Sequence, residues 1–403
     1  MRDEPVLLLE GPRSVGKSTL LQQLAARAGS TVLDLDDPAT REAVASDPAL
    51  FVSGDIPVFV DEYQKAPIIL DAVKAQLNRR SIPGRFVLAG STAYDTLPRA
   101  AQSLTGRLHR VPILPLTQTE IERSGTNVVE AGFGNPEALV DGRPSTTTRE
   151  QYIERIVRGG FPIALARTTP AARNRWFDDY VRLTLERDAV EISHIRRSAN
   201  LPRLLEKLAG QTAQILNISS AAAEINLDAS TADAYTRLLE AVFLLERVPA
   251  WRSTLSARTA SRPKVHVVDS GVAARLLRLS EEKLARKDPT SLTELGHLLE
   301  TFVLGELQRQ ASWLDGISPA SHWRTKVGTE VDVVFERDDG GIIAFEVKSG
   351  RRMPGSDLQP LRRLRDMLGD AFVGGFALYL GERAYTAEDR LHVLPVDRLW
   401  SAG

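Results

Sequence analysis

A glycine-containing stretch near the N-terminus holds the residues best suited to bind phosphate. It matches the pattern G-x-x-x-x-G-K-[ST] in full, as Gly11-Pro12-Arg13-Ser14-Val15-Gly16-Lys17-Ser18. The glycines let backbone N–H groups wrap phosphates, and a helix that begins there adds its dipole. Lys17 would reach the β- and γ-phosphates, and the Ser18 hydroxyl would ligate Mg²⁺. The pattern predicts a nucleotide-binding loop that runs through Thr19.

Two carboxylates at the end of an apolar run form the second candidate group. Val58-Phe59-Val60 is followed by Asp61 and Glu62. Open α/β sheets bind ligands at the carboxyl ends of their strands. Asp61 would therefore hold Mg²⁺, directly or through water, and Glu62 would polarise the attacking water as general base.

A polar residue ends the apolar run Phe86–Ala89. The run leads into Gly90-Ser91-Thr92, and Ser91 is a candidate for orienting the lytic water. The alternative is a Gly-Ser turn with no chemical role.

A third set of chemically capable residues lies near the C-terminus. Asp332 falls in the strand predicted over Glu330–Phe335, and Glu346 and Lys348 fall in the strand Ile342–Lys348. Residues two apart in a strand project from one face. Antiparallel pairing of the two strands would bring Asp332 beside this pair. Two carboxylates then make a Mg²⁺ site, and the lysine can orient or deprotonate water.

The order of elements around this set resembles the D…E-x-K core of restriction-endonuclease-like folds. The preceding helix, predicted over Leu292–Gln310, offers Glu294 and Glu300 as a further carboxylate. The predicted nuclease site comprises Glu300, Asp332, Glu346 and Lys348. Two alternatives stay open: a hairpin with solvent-facing charges, and a domain that keeps these residues but only docks a partner.

The elements that position the nucleotide motifs alternate between strand and helix over residues 1–120. Strands are predicted at Val6–Leu9, Thr31–Leu35, Ile56–Val60, Phe86–Ala89 and Arg110–Leu114, and helices at Ser18–Ala28 and Ile68–Arg80. This alternation favours an α/β fold with a mostly parallel, doubly wound sheet. The extra strand between the two nucleotide motifs is typical of P-loop ATPases with a catalytic glutamate.

The remaining chain is predicted to hold two further domains. Residues 121–150 are rich in Gly, Pro, Ser and Thr and indicate a linker or insertion. Residues 151–260 have helical periodicity, with a winged helix predicted over 201–249, and residues 264–398 form the nuclease-like domain. DNA is the partner that fold analogy suggests for the winged helix, near Arg237, Arg247 and Arg252. A protein–protein spacer is the alternative.

Composition narrows the classes of function. The 403 residues contain no cysteine, which excludes disulfides, Cys-ligated zinc and thiol nucleophiles. The net charge of −1 excludes a strong overall basic field but not local basic patches. No apolar run reaches 18 residues, so we expect a cytoplasmic protein with no membrane contact.

The chain resembles prokaryotic AAA+-like ATPases that carry a C-terminal domain of unassigned function. The segments GPRSVGKST, VDEYQKAP, LAGST and SLTGR…LPLTQTEIE carry the resemblance. It implies ATP rather than GTP, and it implies a catalytic role for Arg107. That arginine could act in cis on the γ-phosphate or in trans across a subunit interface; a surface salt bridge is the alternative.

Two functions are therefore expected, and both include ATP hydrolysis. In the first, the C-terminal module cuts or recognises double-stranded DNA. In the second, the chain is a nucleotide-dependent switch whose inactive nuclease-like domain docks a protein partner. A homo-oligomer is compatible with either function.

Overall fold

Five short apolar strands build the sheet that carries the nucleotide motifs. In the computed structural model, which describes residues 3–54, 56–93, 104, 106–189, 200–252 and 262–401, all of these strands are parallel and lie in the order β2-β3-β4-β1-β5. They are β1 (Val6–Glu10), β2 (Val32–Asp34), β3 (Val58–Asp61), β4 (Phe86–Gly90) and β5 (Leu108–Pro112). The predicted parallel sheet is confirmed.

The helices of this part cover the sheet, as parallel strands require. They are α1 (Lys17–Ala28), α2 (Pro38–Ser46), α3 (Pro48–Phe51) and α4 (Ile68–Arg79). Buried apolar side chains from the strands and from α4 share one core, which includes Val6, Val60, Val73 and Leu88. Because β4 lies between β1 and β3, the loops after these three strands meet at one edge of the sheet.

The chain divides into two compact units. The first comprises Met1–Pro115, Arg182–Arg197 and Arg237–Leu244, and the second comprises Leu116–Val181, Ser198–Thr236 and Leu245–Gly403. None of the helices in the described ranges combines the length and the apolar character that a membrane crossing needs.

Short helices dominate the N-terminal part of the second unit. They are α5 (Gln118–Glu122), α6 (Val128–Gly134), α7 (Arg149–Arg158), α8 (Pro162–Leu165) and α9 (Pro170–Leu183), which runs into a π-helical turn over Thr184–Asp188. The stretch 121–150, expected to be a linker or insertion, contains the folded helix α6. Its Val128 and Val129 are fully buried. The Val128 amide donates to the Gln310 side chain at 2.7 Å, so burial overrides the loop-like composition.

Three helices and a small antiparallel sheet occupy the region expected to be a winged helix. The helices are α10 (Asn200–Ala209), α11 (Ile218–Ala223) and α12 (Ala229–Ala241), and the strands are β6 (Gln214–Ile215), β7 (Leu245–Val248) and β8 (Lys264–Val267). The order β6-β8-β7 places β8 beside β7. Strand β8 therefore belongs to this small sheet and not to the C-terminal sheet, although the predicted nuclease-like domain began at residue 264.

A six-stranded mixed sheet forms the C-terminal part of the second unit. Its strands are β9 (Ser321–Arg324), β10 (Glu330–Glu336), β11 (Ile342–Lys348), β12 (Phe372–Tyr379), β13 (Tyr385–Glu388) and β14 (Leu391–Pro395). The helices α13 (Ser270–Leu276), α14 (Glu281–Ala285), α15 (Pro289–Ala311) and α16 (Gln359–Leu368) accompany it.

The pairing within this sheet positions the predicted C-terminal site. Strand β10 is antiparallel to both of its neighbours, β9 and β11, and β11, β12 and β14 are parallel. Val333 pairs with Phe345, so the next pair along the register is Asp332 and Glu346. Sequence analysis predicted the β10–β11 hairpin but not β9, β13 or β14.

Candidate functional site

The loop between β1 and α1 has the backbone shape that phosphate binding needs. Gly11 has φ +156°, and a Cβ at that position would lie 1.9 Å from the carbonyl oxygen of Ile113, so only glycine fits. Gly16 and Ser14 have φ values of +101° and +64°. The loop leads directly into the N-terminus of α1, where unpaired N–H groups attract anions.

Lys17 lies buried within this loop. Its ammonium donates to the carbonyl oxygens of Gly11 and Pro12 at 2.9 and 2.7 Å. Burial lowers the pKa of Lys17 to about 8. The loop's own carbonyl groups therefore hold the ammonium at the place where a phosphate would accept its hydrogen bonds.

Ser18 and Asp61 form the candidate Mg²⁺ site. Burial raises the pKa of the Asp61 carboxyl at the end of β3, and the nearby Ser18 side chain in the first turn of α1 partly offsets this. A serine hydroxyl and a carboxylate are oxygen ligands of the kind that Mg²⁺ prefers. The described residues at this position therefore fit the ion.

Glu62 is held by two side chains, one of which sequence analysis missed. It is a non-glycine residue in the left-handed region, with φ 50° and ψ 45°. Its Oε2 accepts from the Ser91 hydroxyl at 3.2 Å and from the Gln64 amide. Gln64 also donates to Ser91 at 3.1 Å. The predicted pair of Glu62 and Ser91 is thus brought together, with Gln64 as an unpredicted third member, and burial raises the pKa of Glu62.

A buried aspartate anchors the phosphate loop from a distant part of the chain. The Arg13 Nε donates to both carboxylate oxygens of Asp188 at 2.8 and 2.7 Å. Asp188 is 3% exposed and lies in the π-helical turn, which belongs to the same unit as the loop. The 175 residues between the partners give no sequence signal for this contact.

Arg107 lies away from the phosphate loop. It comes directly before β5, and Leu108 pairs with Val6 at the start of the parallel strand β1. Gly11 follows the other end of β1, five residues and so roughly 16 Å further along at about 3.3 Å per residue. The Arg107 guanidinium donates to Asn78 Oδ1 at 2.6 Å. The structure therefore does not bring Arg107 to its own chain's nucleotide site.

The C-terminal candidates do converge on one face of the sheet. Asp332 Oδ2 accepts from the Val347 amide at 2.9 Å, and the Lys348 ammonium donates to Glu346 Oε1 at 2.5 Å. Glu346 is 4% exposed, and its Oε2 is buried with no hydrogen-bond partner among the described residues.

Lys264, which sequence analysis missed, lies among these carboxylates. This residue of β8 is 1% exposed. Its ammonium donates to Glu300 Oε1 at 2.7 Å and Asp332 Oδ1 at 3.1 Å, and it pairs with Glu330. Glu294, the other helix carboxylate considered, instead pairs with Lys283 at 3.4 Å. A buried ammonium thus occupies the centre of the predicted nuclease site.

Glu300, Glu330, Asp332 and Glu346 form a carboxylate cluster around Lys264, and burial determines its protonation. Burial alone would lower the pKa of Lys264, but the carboxylates of Asp332, Glu300 and Glu330 raise it well above the usual value. Burial raises the pKa of Glu300 to about 8, and burial with the charge of Asp332 raises that of Glu346 well above its usual range. No group of three or more His, Cys, Asp or Glu side chains in the described ranges could hold a metal ion. Lys264 supplies a positive charge among these carboxylates, and a Mg²⁺ site at Asp332 and Glu346 stays a prediction.

Comparisons with known proteins agree with the assignment of the first unit. Residues 3–122 match the family described as the AAA domain. Residues 149–283 and 295–399 match two domains of unknown function, DUF8612 and DUF4143. Together, the matched family and the loop geometry define the N-terminal part as an AAA-type P-loop domain. The nuclease-like resemblance of the C-terminal part gains no support from these matches.

Two proteins are similar to this chain over nearly its whole length, and their names state no function. The uncharacterized proteins Rv2008c of Mycobacterium tuberculosis and Mb2031c of Mycobacterium bovis are each 26% identical over 401 residues, which is 99% of this chain and 82% of theirs. The Thermotoga maritima RuvB Holliday junction branch migration motor aligns over 60% of this chain and 82% of its own, at 16% identity and a TM-score of 0.29.

Proposed function

We propose that this protein binds and hydrolyses ATP with Mg²⁺ as its cofactor. The observation that carries the proposal is the meeting of Lys17, Ser18, Asp61 and Glu62 at one edge of the sheet. Lys17 would exchange its carbonyl partners for phosphate oxygens. Bound Mg²⁺ would neutralise charge on the phosphates, and Ser18 and Asp61 are the side chains that would hold it.

Glu62 would act as the general base for the attacking water. Its carboxylate needs a fixed direction to accept a proton, and the hydrogen bonds from Ser91 and Gln64 supply one. The raised pKa of Glu62 brings its basicity closer to neutral pH, where a general base is most effective.

We further propose that the C-terminal module recognises a partner rather than cleaving DNA. Lys264 supports this proposal, because its ammonium fills the space between Glu300 and Asp332 that a catalytic cation would need. Cleavage is the competing function. The convergence of Asp332, Glu346 and Lys348 favours it, since these residue types together can activate water beside a metal.

One assay with two readouts tests both proposals. The full chain is incubated with Mg²⁺, ATP and supercoiled plasmid, and released phosphate and plasmid nicking are both measured. We expect phosphate release that is lost in Lys17→Ala, because a charged partner of the phosphates is removed. We expect no nicking. Nicking that depends on Mg²⁺ and disappears in Lys348→Ala and in Glu346→Ala would overturn the recognition proposal, and a Lys17→Ala variant with parental turnover would overturn the ATPase proposal.

Arg107 is proposed to act in trans, which implies a homo-oligomer. An arginine finger that crosses a subunit interface contributes roughly 10³-fold or more to turnover. We therefore expect turnover per chain to rise with protein concentration, and Arg107→Ala to lower it while ATP binding stays unchanged. Arg79→Ala, at an exposed arginine of α4, is the control. Unchanged turnover in Arg107→Ala would assign this residue to a surface interaction with Asn78 alone.

A further inference from the structure

A groove in the second unit has an unusually uniform charge. It encloses about 480 Å³, and its wall includes Arg252, Arg262, Arg324 and Lys326. The first two flank the connection from β7 to β8, and the other two lie at the end of β9 and in the turn after it. No carboxylate is among the described residues that line the groove.

The sequence segments on both sides of the groove also lack acidic residues. No Asp or Glu occurs between Glu246 and Asp269, and none occurs between Asp315 and Glu330. Another cavity of the same unit, of about 350 Å³, is lined by side chains of both charges. There Arg173 pairs with Glu281, which also lines that cavity. The abundance of arginine in this chain does not by itself make a wall whose charged side chains are all cationic.

A buried polar atom at the groove wall lacks a partner. His322 is 1% exposed, and its Nε2 lies 3.2 Å from the backbone oxygen of Arg262. Burial lowers the pKa of His322 to about 4, so the ring is neutral and donates to that oxygen through Nε2. Its Nδ1 is then a buried acceptor with no partner among the described residues. Such an atom is usually satisfied by water or by a ligand hydroxyl.

We infer that this groove binds the phosphate backbone of a single polynucleotide strand. Cations from separate chain segments match a ligand that repeats its charge, whereas one small anion would need only one or two of them. Asn217 adds an uncharged amide to the wall, and Ile215 and Ala250 add apolar surface for the sugars. The inference rests on the proposed recognition role of the C-terminal module and supplies its ligand class.

The groove also borders the carboxylate cluster. Arg324 pairs with Glu330 at 3.2 Å, and Glu330 pairs with Lys264. Arg324 therefore shares its charge with the cluster. Arg262 and Lys326 are exposed and are the better choice for substitution, because neither side chain forms an ion pair within the part of the chain that the structure describes.

The test measures binding of a fluorescent 20-nucleotide oligo-dT to the full chain by anisotropy. The buffer contains EDTA and no ATP, so the result does not depend on ATP hydrolysis. Affinity is followed from 50 to 200 mM KCl for the parent and for Arg262→Ala/Lys326→Ala. Each phosphate contact to a single strand contributes about 0.7 to the slope of log affinity against log salt. We expect the double variant to lose about 1.4 from that slope and to bind roughly tenfold more weakly.

The matched control is Arg27→Ala/Lys74→Ala, which removes two exposed cations from the first unit. It should keep the parental slope, and both double variants should keep the parental ATPase rate. An equal loss in both variants, or a parent that does not bind at 50 mM KCl, would overturn the inference. Displacement of the oligonucleotide by inorganic phosphate at the same concentration of phosphate groups would assign the groove to a small anion instead.

Discussion

Glu62→Gln is expected to slow ATP hydrolysis by roughly 10²- to 10⁴-fold, the usual contribution of a positioned general base. Glutamine has nearly the same shape as glutamate but cannot accept the proton of the attacking water. ATP affinity should stay within about twofold of the parent, because the phosphates contact the loop and Lys17 rather than Glu62. Phosphate release gives the rate, and titration with a fluorescent ATP analogue gives the affinity.

Three further variants serve as comparisons for this experiment. Glu42→Gln makes the same chemical change on the exposed face of α2 and should leave both quantities unchanged. Ser91→Ala and Gln64→Ala should each reduce turnover less than Glu62→Gln, since they remove only a group that orients the carboxylate. A Glu62→Gln variant that hydrolyses ATP at the parental rate would show that another residue is the base.

The sequence was sufficient for the parts of the site that local patterns determine. The loop from Gly11 to Ser18 depends on glycine backbone freedom and on a helix that begins at a fixed position, and both are local properties. The proximity of Asp332 to Glu346 followed from strand alternation and a short hairpin. In each case the residues that meet lie within a few turns of one another or on neighbouring strands.

The contacts that sequence analysis missed join distant segments. Asp188 reaches Arg13 across 175 residues, and Lys264 reaches Asp332 across 68 residues. Neither residue belongs to a motif, and each is a single charge in a chain with more than a hundred charged residues. Only the fold shows that these particular charges are buried. A buried charge that loses its partner lowers the stability of the fold far more than an exposed one does.

The position of Lys264 also shows what a short motif leaves out. The D…E-x-K spacing places Asp332, Glu346 and Lys348 together, as expected. The spacing contains no information about β8, a strand of a different sheet that inserts an ammonium between the carboxylates. The charge that a metal would supply is therefore already present in the chain.

Lys264→Met is expected to destabilise the second unit by about 3–5 kcal/mol, the usual range when one partner of a buried ion pair is removed. Methionine fills much of the lysine volume, so the loss reflects the carboxylates left without a counter-charge. All five tryptophans lie in the second unit, so their fluorescence during urea unfolding of the full chain reports on that unit. Lys283→Met is the matched control. It breaks the Lys283–Glu294 pair, which is partly exposed and should contribute less than about 1 kcal/mol.

The loss in Lys264→Met should be larger at pH 9 than at pH 6. The pKa of Glu300 is about 8 in the folded chain and near 4.3 for an unfolded glutamate, so the folded state retains a proton between these values. Stability falls as the pH rises through that window, because only the unfolded chain can then release the proton. At pH 6 Glu300 is neutral and needs Lys264 less; at pH 9 it is charged and needs Lys264 most. An equal loss at both pH values, or stabilisation of the parent by Mg²⁺ that disappears in Glu346→Gln, would contradict the assignment of Lys264 as the cation of this cluster.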